Sequence, residues 1–209
     1  GPNRDKLFLE VAGRPVVAHT WERFNAARCV DHIVVVVREG MGVAFEELAR
    51  QFHFTKAYTI VIGGQERQDS VWNGLQALPD SVQLVAIQDG ARPCTSEALI
   101  ASTFQAARET GAAVAAQAVT DTIKESDGGT VISRHLDRAK LWAVQTPQCF
   151  RVEIIRAALE EVRKRGLMVT DDTAACELIG QPVRLVSSSE PNPKVTLPSD
   201  LPYLELLLK

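Results

Sequence analysis

The chain has 209 residues, of which 45% are hydrophobic and 23% are charged, a composition typical of globular proteins rather than disordered or fibrous ones. Its 23 Lys and Arg residues and 26 Asp and Glu residues give a net charge of −3, which argues against the broad basic surface that nucleic acids or anionic membranes require. The longest apolar runs, such as 33–37, are too short to span a bilayer. We therefore expect no nucleic-acid partner and no membrane partner.

The four cysteines, Cys29, Cys94, Cys149 and Cys176, are far apart and form neither a Cys-x-x-Cys motif nor a Cys/His pair at zinc-finger spacing. The sequence therefore predicts no metal site built by the protein itself. Scattered single cysteines are typical of the reducing cytosol, and the polar start of the sequence lacks the apolar stretch of a signal peptide. We expect a cytoplasmic protein.

Short β-branched segments alternate with longer amphipathic ones through the first half of the chain. In chain order we predict a helix at 16–27, a strand at 32–37, a helix at 43–52, a strand at 57–62, a helix at 67–78, a strand at 83–88, a helix at 97–109 and a strand at 112–116. Alternating strands and helices are typical of an α/β fold with a Rossmann-like, doubly wound, mostly parallel sheet. No linker divides 1–209, so we expect a single domain.

The alternation then breaks at two polar, β-compatible runs, 120–125 and 130–135, which flank Ser126-Asp127-Gly128-Gly129. Such a pattern predicts a β-hairpin with a tight turn. Because its side chains are too polar for the core, we expect an arm at 120–138 that projects from the sheet. Beyond it we predict a strand at 141–145 closed by Thr146-Pro147, helices at 152–165 and 172–179, a strand at 183–186 and a helix at 199–208.

Ligands of doubly wound sheets bind beyond the carboxyl ends of the strands, so the turns there are the candidate sites. Gly63 and Gly64 follow a strand and precede a helix, with Arg67 and Ser70 on its first turns. Glycine permits positive φ angles and a close approach of a ligand to the backbone. The same pattern also fits an ordinary strand-to-helix turn, and the sequence leaves both interpretations open.

A second turn carries Asp89-Gly-Ala-Arg92-Pro93 at the end of the next strand. Asp89 can accept hydrogen bonds from sugar or polyol hydroxyls, or hold a divalent cation with phosphate oxygens. Arg92 can bind a phosphate, although it could instead be the structural partner of Asp89. We favour the functional interpretation. Lys194 stands between Pro193 and a β-branched pair, which restricts its position, although it could instead be a solvated lysine of a loop.

Taken alone, two further turns favour a structural interpretation. Thr146, with Gln145 and Gln148, surrounds a strand end, and Thr170 precedes Asp171-Asp172 in a pattern typical of a helix cap. The four histidines have no nucleophile or metal ligand at motif spacing, so we expect them to be structural or solvated.

Together these segments resemble the 2-C-methyl-D-erythritol 4-phosphate cytidylyltransferase family of the non-mevalonate isoprenoid pathway, from about Lys6 to the end of the chain. The resemblance rests on six motifs in order: Gly-Gly-Gln-Glu-Arg-Gln-Asp-Ser-Val (63–71), Asp-Gly-Ala-Arg-Pro (89–93), Asp-Thr-Ile-Lys (121–124), Asp-Arg-Ala-Lys-Leu-Trp-Ala-Val-Gln-Thr-Pro-Gln (137–148), Thr-Asp-Asp (170–172) and Lys-Val-Thr-Leu-Pro-Ser-Asp-Leu (194–201). Gln88 and Gly90 stand where the family usually has His and Ala.

The resemblance implies transfer of a cytidylyl group from CTP to methylerythritol phosphate, with Mg²⁺ held mainly by the CTP phosphates. It implies that the catalytic charges are Lys6, Arg138 and Lys194. It implies a CTP site formed by Gly64, Gln65, Arg67, Ser70, Asp89 and Ala91. It implies an acceptor site formed by Asp89, Arg92, Thr122, Arg138, Thr146, Thr170 and Lys194. In the family Thr122 and Arg138 come from the partner's arm, so the resemblance also implies a homodimer with exchanged arms.

One family feature lies ahead of the matched region. The family opens with a strand and a glycine-rich loop that carries an arginine, before the segment that resembles 5–9, and we expect the sequence to be a piece of a longer chain. Two alternatives remain open: a ribitol-5-phosphate cytidylyltransferase with the same fold, and a non-catalytic nucleotide-binding module that lacks the loop.

Overall fold

The structure is a computed structural model that describes residues 5–209. Strands of four or more residues form its centre. The strands are β1 (Glu10–Val11), β2 (Arg14–Pro15), β3 (His32–Val37), β4 (Ala57–Ile62), β5 (Leu84–Ile87), β6 (Ala112–Ala118), β7 (Lys124–Glu125), β8 (Arg134–His135), β9 (Trp142–Arg151) and β10 (Arg184–Ser187). The helices are α1 (Val16–Ala26), α2 (Gly42–Gln51), α3 (Arg67–Gln76), α4 (Glu97–Thr110), α5 (Val152–Arg165), α6 (Asp172–Glu177) and α7 (Leu201–Leu207). Short 3₁₀ turns lie at Lys6–Phe8, Arg138–Lys140 and Pro198–Asp200. None of the helices within 5–209 is both long and apolar enough to cross a bilayer.

The central sheet has the strand order β10-β6-β9-β5. Strand β10 is parallel to β6, whereas β9 runs antiparallel to both β6 and β5. Three of these four strands therefore point the same way. Strands β3 and β4 form a separate parallel pair in full six-residue register. The predicted α/β class and mostly parallel sheet are confirmed, with β9 as the antiparallel exception.

Helix α5 shows why the pattern folds as it does. Its apolar residues recur at helical spacing, so Val152, Ile155, Leu159 and Val162 all face inward and are buried. Ile155, Leu159 and Val162 pack with Phe150 of β9 in one core cluster. On the other side of the fold, α1 and α2 pack on β3 and β4 through an aromatic group. The members of that group are Trp21, Phe45, Phe54 and Tyr58.

The predicted end of a strand at Thr146-Pro147 is wrong, because β9 continues through both residues to Arg151. The pairing of β9 with β6 shifts here: Val114 pairs with Gln148 and Ala116 with Val144. Three residues of β9 thus face one residue of β6. Proline has no N–H to donate and is tolerated where a ladder is interrupted by such a bulge. Thr146 is buried in this stretch of β9.

The arm projects as predicted, but its hairpin is looser than the sequence indicates. Only Lys124–Glu125 and Arg134–His135 form paired strands, so 126–133 make a wide turn rather than a tight one. The Ser126 hydroxyl donates within that turn to the carbonyl oxygens of Gly129 and Val131. The polar side chains of this sequence favour such side-chain to backbone bonds over a regular ladder.

A second hairpin was missed. Strands β1 and β2 pair around Ala12 and Gly13, whose positive φ angles of 47° and 74° form the turn. The sequence signal, a small residue and a glycine between two-residue strands, is too short to show a period. Helix α7 also begins two residues later than predicted, after the 3₁₀ turn at Pro198–Asp200.

Candidate active site

The glycine turn joins β4 to α3 and packs closely on the start of the helix. The Ser70 hydroxyl accepts a hydrogen bond from the N–H of Gly64 at 3.1 Å and donates to the carbonyl of Glu66 at 3.2 Å. A Cβ at Gly63 would lie 2.6 Å from the Ser70 hydroxyl oxygen, and one at Gly64 would lie 2.3 Å from the Cβ of Asp69. A side chain at Gly64 would therefore force the turn off the helix, whereas one at Gly63 would displace the Ser70 hydroxyl.

This finding corrects the reason given for the two glycines. Neither Gly63 nor Gly64 has a positive φ, unlike six other glycines of the described chain. They are required for close approach between the turn and α3. The close approach leaves Gln65 exposed at the rim of the turn.

The Asp89 turn carries the main cluster of charges. Lys194 Nζ lies 2.9 Å from Asp89 Oδ2, and Arg92 Nε lies 3.6 Å from the same oxygen. The side chain of Lys194 is 40% exposed, whereas those of Asp89 and Arg92 are mostly buried. Lys194 is therefore the partner that a ligand can reach directly.

A cleft of about 390 Å³ opens over this pair. Its lining residues are Asp5, Lys6, Leu7, Arg38, Asp89, Gly90, Ala91 and Lys194. Four predicted site residues are thus brought together: Lys6, Asp89, Ala91 and Lys194. Three of the lining side chains are cationic, so the cleft suits a polyanionic ligand.

Sequence reasoning missed Arg38 and Asp5. Arg38 is the first residue after β3, and a charged residue at the carboxyl end of a buried strand was the available signal. Asp5 forms an ion pair with Arg38 and accepts a hydrogen bond from the N–H of Leu7 at 3.0 Å. It thereby caps the 3₁₀ turn that carries Lys6.

Behind the cleft, Thr146 and Arg92 are buried rather than open to a ligand. The Thr146 hydroxyl accepts the N–H of Asp89 at 3.1 Å, and Arg92 donates to the carbonyl of Asn192 at 2.7 Å. Burial lowers the pKa of Arg92, and the charge of Asp89 opposes that shift. Through these hydrogen bonds Thr146 and Arg92 hold Asp89 and the 192–194 segment in place. For Arg92 these contacts fit the alternative that it is a structural partner of Asp89.

Arg67 joins the glycine turn to helix α6. Its guanidinium donates to Asp172 Oδ2 at 2.6 Å, and Gln148 Oε1 accepts the N–H of Asp172 at 3.2 Å. Asp172 is fully buried, and burial raises its pKa although the Arg67 hydrogen bond opposes the rise. Burial alone would lower the pKa of Arg67, but the hydrogen bond and charge of Asp172 raise it. Neither Asp172 nor Gln148 was among the predicted site residues.

The other predicted residues lie outside this cleft. Thr122 and Arg138 are exposed on the arm, and Thr170 is exposed just before α6. Arg138 donates to the carbonyl of Thr120 at 2.7 Å and so closes the base of its own arm. Within residues 5–209 these side chains do not line the 390 Å³ cleft.

We expect Arg67→Ala to lower the free energy of unfolding by about 2 to 3 kcal/mol at pH 7.5, because it leaves the buried Asp172 carboxylate without its cation. The ordinary pKa of Asp is about 3.9. The folded-state pKa of Asp172 is raised. Between its unfolded-state and folded-state pKa values the folded protein retains a proton that the unfolded chain releases, so the free energy of unfolding falls as pH rises through that range.

Loss of Arg67 raises this pKa further, so the deficit should be smaller at pH 5 than at pH 7.5. Urea unfolding at both pH values measures it, with Arg50→Ala, an exposed arginine of α2, as the control. An equal loss of unfolding free energy at the two pH values would show that Arg67 does not act as the cation that stabilises the Asp172 carboxylate.

The cleft has the parts for electrostatic chemistry. Among residues 5–209 its lining contains the cations Lys6, Arg38 and Lys194 but no serine, cysteine or histidine. Within 5–209 no three His, Cys, Asp or Glu side chains lie together as a metal site. The cleft's two carboxylates, Asp5 and Asp89, are each paired with a cationic side chain. This set fits an Mg²⁺ ion carried largely by phosphate oxygens rather than by a protein cage.

The chain is similar over its whole length to known proteins. The model of the family described as IspD: 2-C-methyl-D-erythritol 4-phosphate cytidylyltransferase matches residues 1–209. The chain is 41% identical over 211 residues to the 2-C-methyl-D-erythritol 4-phosphate cytidylyltransferase of Desulforamulus reducens, covering 100% of this chain and 90% of that one. It is 43% identical over 209 residues to the bifunctional enzyme IspD/IspF of Desulforudis audaxviator, and spans all of this chain but only 53% of that relative.

A solved structure agrees with the fold. The crystal structure of 4-diphosphocytidyl-2C-methyl-D-erythritol synthase from Anaerococcus prevotii superposes with a TM-score of 0.89 at 28% identity. The superposition covers 97% of this chain and 92% of that one. On the full-length match to the family model and the relatives above 40% identity, the chain belongs to the 2-C-methyl-D-erythritol 4-phosphate cytidylyltransferase family and is a nucleotidyltransferase.

Proposed function

We propose that the 390 Å³ cleft transfers a cytidylyl group from CTP to 2-C-methyl-D-erythritol 4-phosphate. The observation that carries the proposal is the meeting of Lys6, Asp89 and Lys194 around one cleft, where fixed charges of both signs face a ligand. A phosphate oxygen of the acceptor attacks the α-phosphorus of CTP. The bond from that phosphorus to the bridging oxygen of the β-phosphate breaks, and pyrophosphate leaves with the bonding electrons.

This reaction needs no general base, because a phosphate monoester is already an anionic nucleophile. Its difficulty is to bring two polyanions together and to stabilise the charge that develops at the α-phosphate, which fixed cations do. In our assignment Lys6 meets the developing charge and Lys194 holds the acceptor phosphate. Asp89 orients Lys194 through their 2.9 Å ion pair and accepts hydrogen bonds from acceptor hydroxyls.

Magnesium is the proposed metal, bound mainly by the CTP phosphates. When bound it neutralises phosphate charge and polarises the phosphoryl oxygens. Asp89 is the carboxylate of the cleft that could also approach it, since Asp5 is engaged in capping the turn of Lys6.

The glycine turn is the proposed cytosine site, with Ala91 beside the ribose. Gly64 and Gln65 of this turn are exposed, so a base edge can reach them. We therefore expect kcat/KM for CTP to exceed that for ATP by at least two orders of magnitude, because a site that hydrogen-bonds one base edge leaves buried groups unpaired with another. Pyrophosphate release with each nucleotide at equal acceptor measures the ratio, and comparable values would contradict it.

We also propose a cytoplasmic homodimer in which the arms exchange. Two features support exchange: the hairpin is paired over only two residues on each side, and Val131 and Ile132 near its tip are 78% and 60% exposed. A two-stranded hairpin of this kind is marginal alone and gains from a partner surface. Exchange would bring Thr122 and Arg138 to the partner's cleft. Four free cysteines among the described residues support a reducing compartment.

The acceptor is tested by side-by-side turnover of methylerythritol phosphate and ribitol 5-phosphate by the natural full-length protein. The proposal expects kcat/KM to favour methylerythritol phosphate by at least tenfold. The opposite preference would identify a ribitol-5-phosphate cytidylyltransferase. CTP binding without turnover of either acceptor would favour the non-catalytic module.

A further inference from the structure

Lys194 stands on a segment, 188–197, that has no helix or strand. Such a segment ordinarily lets a lysine move, yet two residues beside Lys194 are almost completely buried. Val195 is 0% exposed and its N–H donates to the carbonyl of Ala91 at 2.8 Å. Asn192 is 2% exposed. Unlike Val195, which is held through its backbone, Asn192 makes its contacts with a polar side chain.

The Asn192 side chain is fully engaged. Its amide nitrogen donates to Gln145 Oε1 at 3.1 Å and to the carbonyl of Thr146 at 2.8 Å. Its amide oxygen accepts the hydroxyl of Thr95 at 3.0 Å, and its backbone carbonyl accepts Arg92 Nη1 at 2.7 Å. Asn192 thus joins β9 on one side to the Asp89–Thr95 turn on the other. Buried polar networks that are satisfied in this way hold one arrangement rigidly.

The same partners hold the Asp89–Lys194 pair. The Thr146 carbonyl accepts a hydrogen bond from the Asn192 amide nitrogen, and the Thr146 hydroxyl accepts one from the Asp89 N–H. Arg92 contacts both Asn192 and Asp89. Only asparagine or glutamine supplies both a carbonyl and an NH₂ group on one side chain.

We propose that Asn192 is a positioning residue for the transfer reaction: it fixes the 188–197 segment so that Lys194 meets the acceptor phosphate. The proposal rests on the function proposed above. It predicts that loss of the Asn192 amide acts on the acceptor and not on the nucleotide.

The first test is Asn192→Ala in steady-state kinetics with CTP and methylerythritol phosphate. The backbone bond to Arg92 survives this change. We expect the KM for the acceptor to rise at least tenfold while the KM for CTP stays within about twofold, since misplacement of a positioning group is felt at the group it positions. Thr103→Val is the control, because Thr103 is 0% exposed and donates only to the Leu99 carbonyl in its own helix. It should leave both KM values within twofold.

The second test is a double-mutant cycle. If Asn192 acts through Lys194, Asn192→Ala should lower the residual kcat/KM of Lys194→Ala by less than threefold, because the group it positions is already gone. Multiplication of the two losses would overturn the proposal, as would equal changes in the two KM values. Should Asn192→Ala not fold, Thr95→Val removes one donor to Asn192 and is expected to raise the acceptor KM three- to tenfold; an unchanged acceptor KM would then overturn it.

The two proposals fail in different ways. Unsubstituted protein that turns over neither acceptor overturns the proposed function and this one with it. If the unsubstituted protein is active and Asn192→Ala leaves the acceptor KM unchanged, this proposal alone is overturned.

Discussion

Lys194→Ala is expected to fold normally and to lose about two to three orders of magnitude in kcat/KM for the acceptor, the typical loss when one fixed charge is removed from a transition state. The lysine is 40% exposed, so its removal uncovers no cavity. Asp89 loses its closer cation, but Arg92 remains 3.6 Å away. The free energy of unfolding should therefore change by less than about 1 kcal/mol.

Steady-state pyrophosphate release and urea unfolding measure the two effects on one preparation. Lys164→Ala is the matched control, because that lysine is 80% exposed on α5 and is paired with Glu161 at 3.9 Å. It should be fully active. A Lys194→Ala variant with near-normal kcat/KM would show that Lys194 does not hold the acceptor phosphate.

Arg138→Ala is expected to be nearly inactive as well, and mixing it with Lys194→Ala should restore activity. Arg138→Ala carries an intact cleft and a defective arm, while Lys194→Ala carries the reverse. In a heterodimer with exchanged arms, one site combines both defects and the other has neither. About half of the sites in each heterodimer should therefore recover, by the two-fold symmetry of the assembly.

The heterodimer fraction is measured by native mass spectrometry after subunit exchange. Activity should rise in proportion to that fraction. Heterodimers without recovered activity would place Arg138 at its own chain's site, consistent with its 2.7 Å bond to the carbonyl of Thr120 in the same arm.

The elements with a clear period were predictable from the sequence. Helix α5 was predicted with its observed bounds, Val152–Arg165, and the structure shows Gly166 ending it in the left-handed conformation. Strands β3 and β4 were predicted equally well from their continuous apolar runs. The turn after β5 located Asp89 and Ala91, whereas Lys6 and Lys194 were assigned to the site through the family resemblance. The structure brings all four to one cleft.

What the sequence could not supply was the pairing of residues far apart in the chain. Proline at 147 normally ends a strand, and only the register shift against β6 explains how β9 continues. Arg67 and Asp172 are 105 residues apart, and Arg92 and Asn192 are 100 apart. No local pattern reports such contacts. The roles of the buried Arg92, Gln148 and Asn192 therefore emerge only from the fold.

The most direct test of the central claim is ³¹P NMR of a reaction between CTP, methylerythritol phosphate, Mg²⁺ and the natural full-length protein. The account predicts one equivalent of pyrophosphate for each new diphosphate diester, with loss of the acceptor's phosphomonoester signal. Consumption of CTP to CMP or CDP while the phosphomonoester signal persists would contradict it.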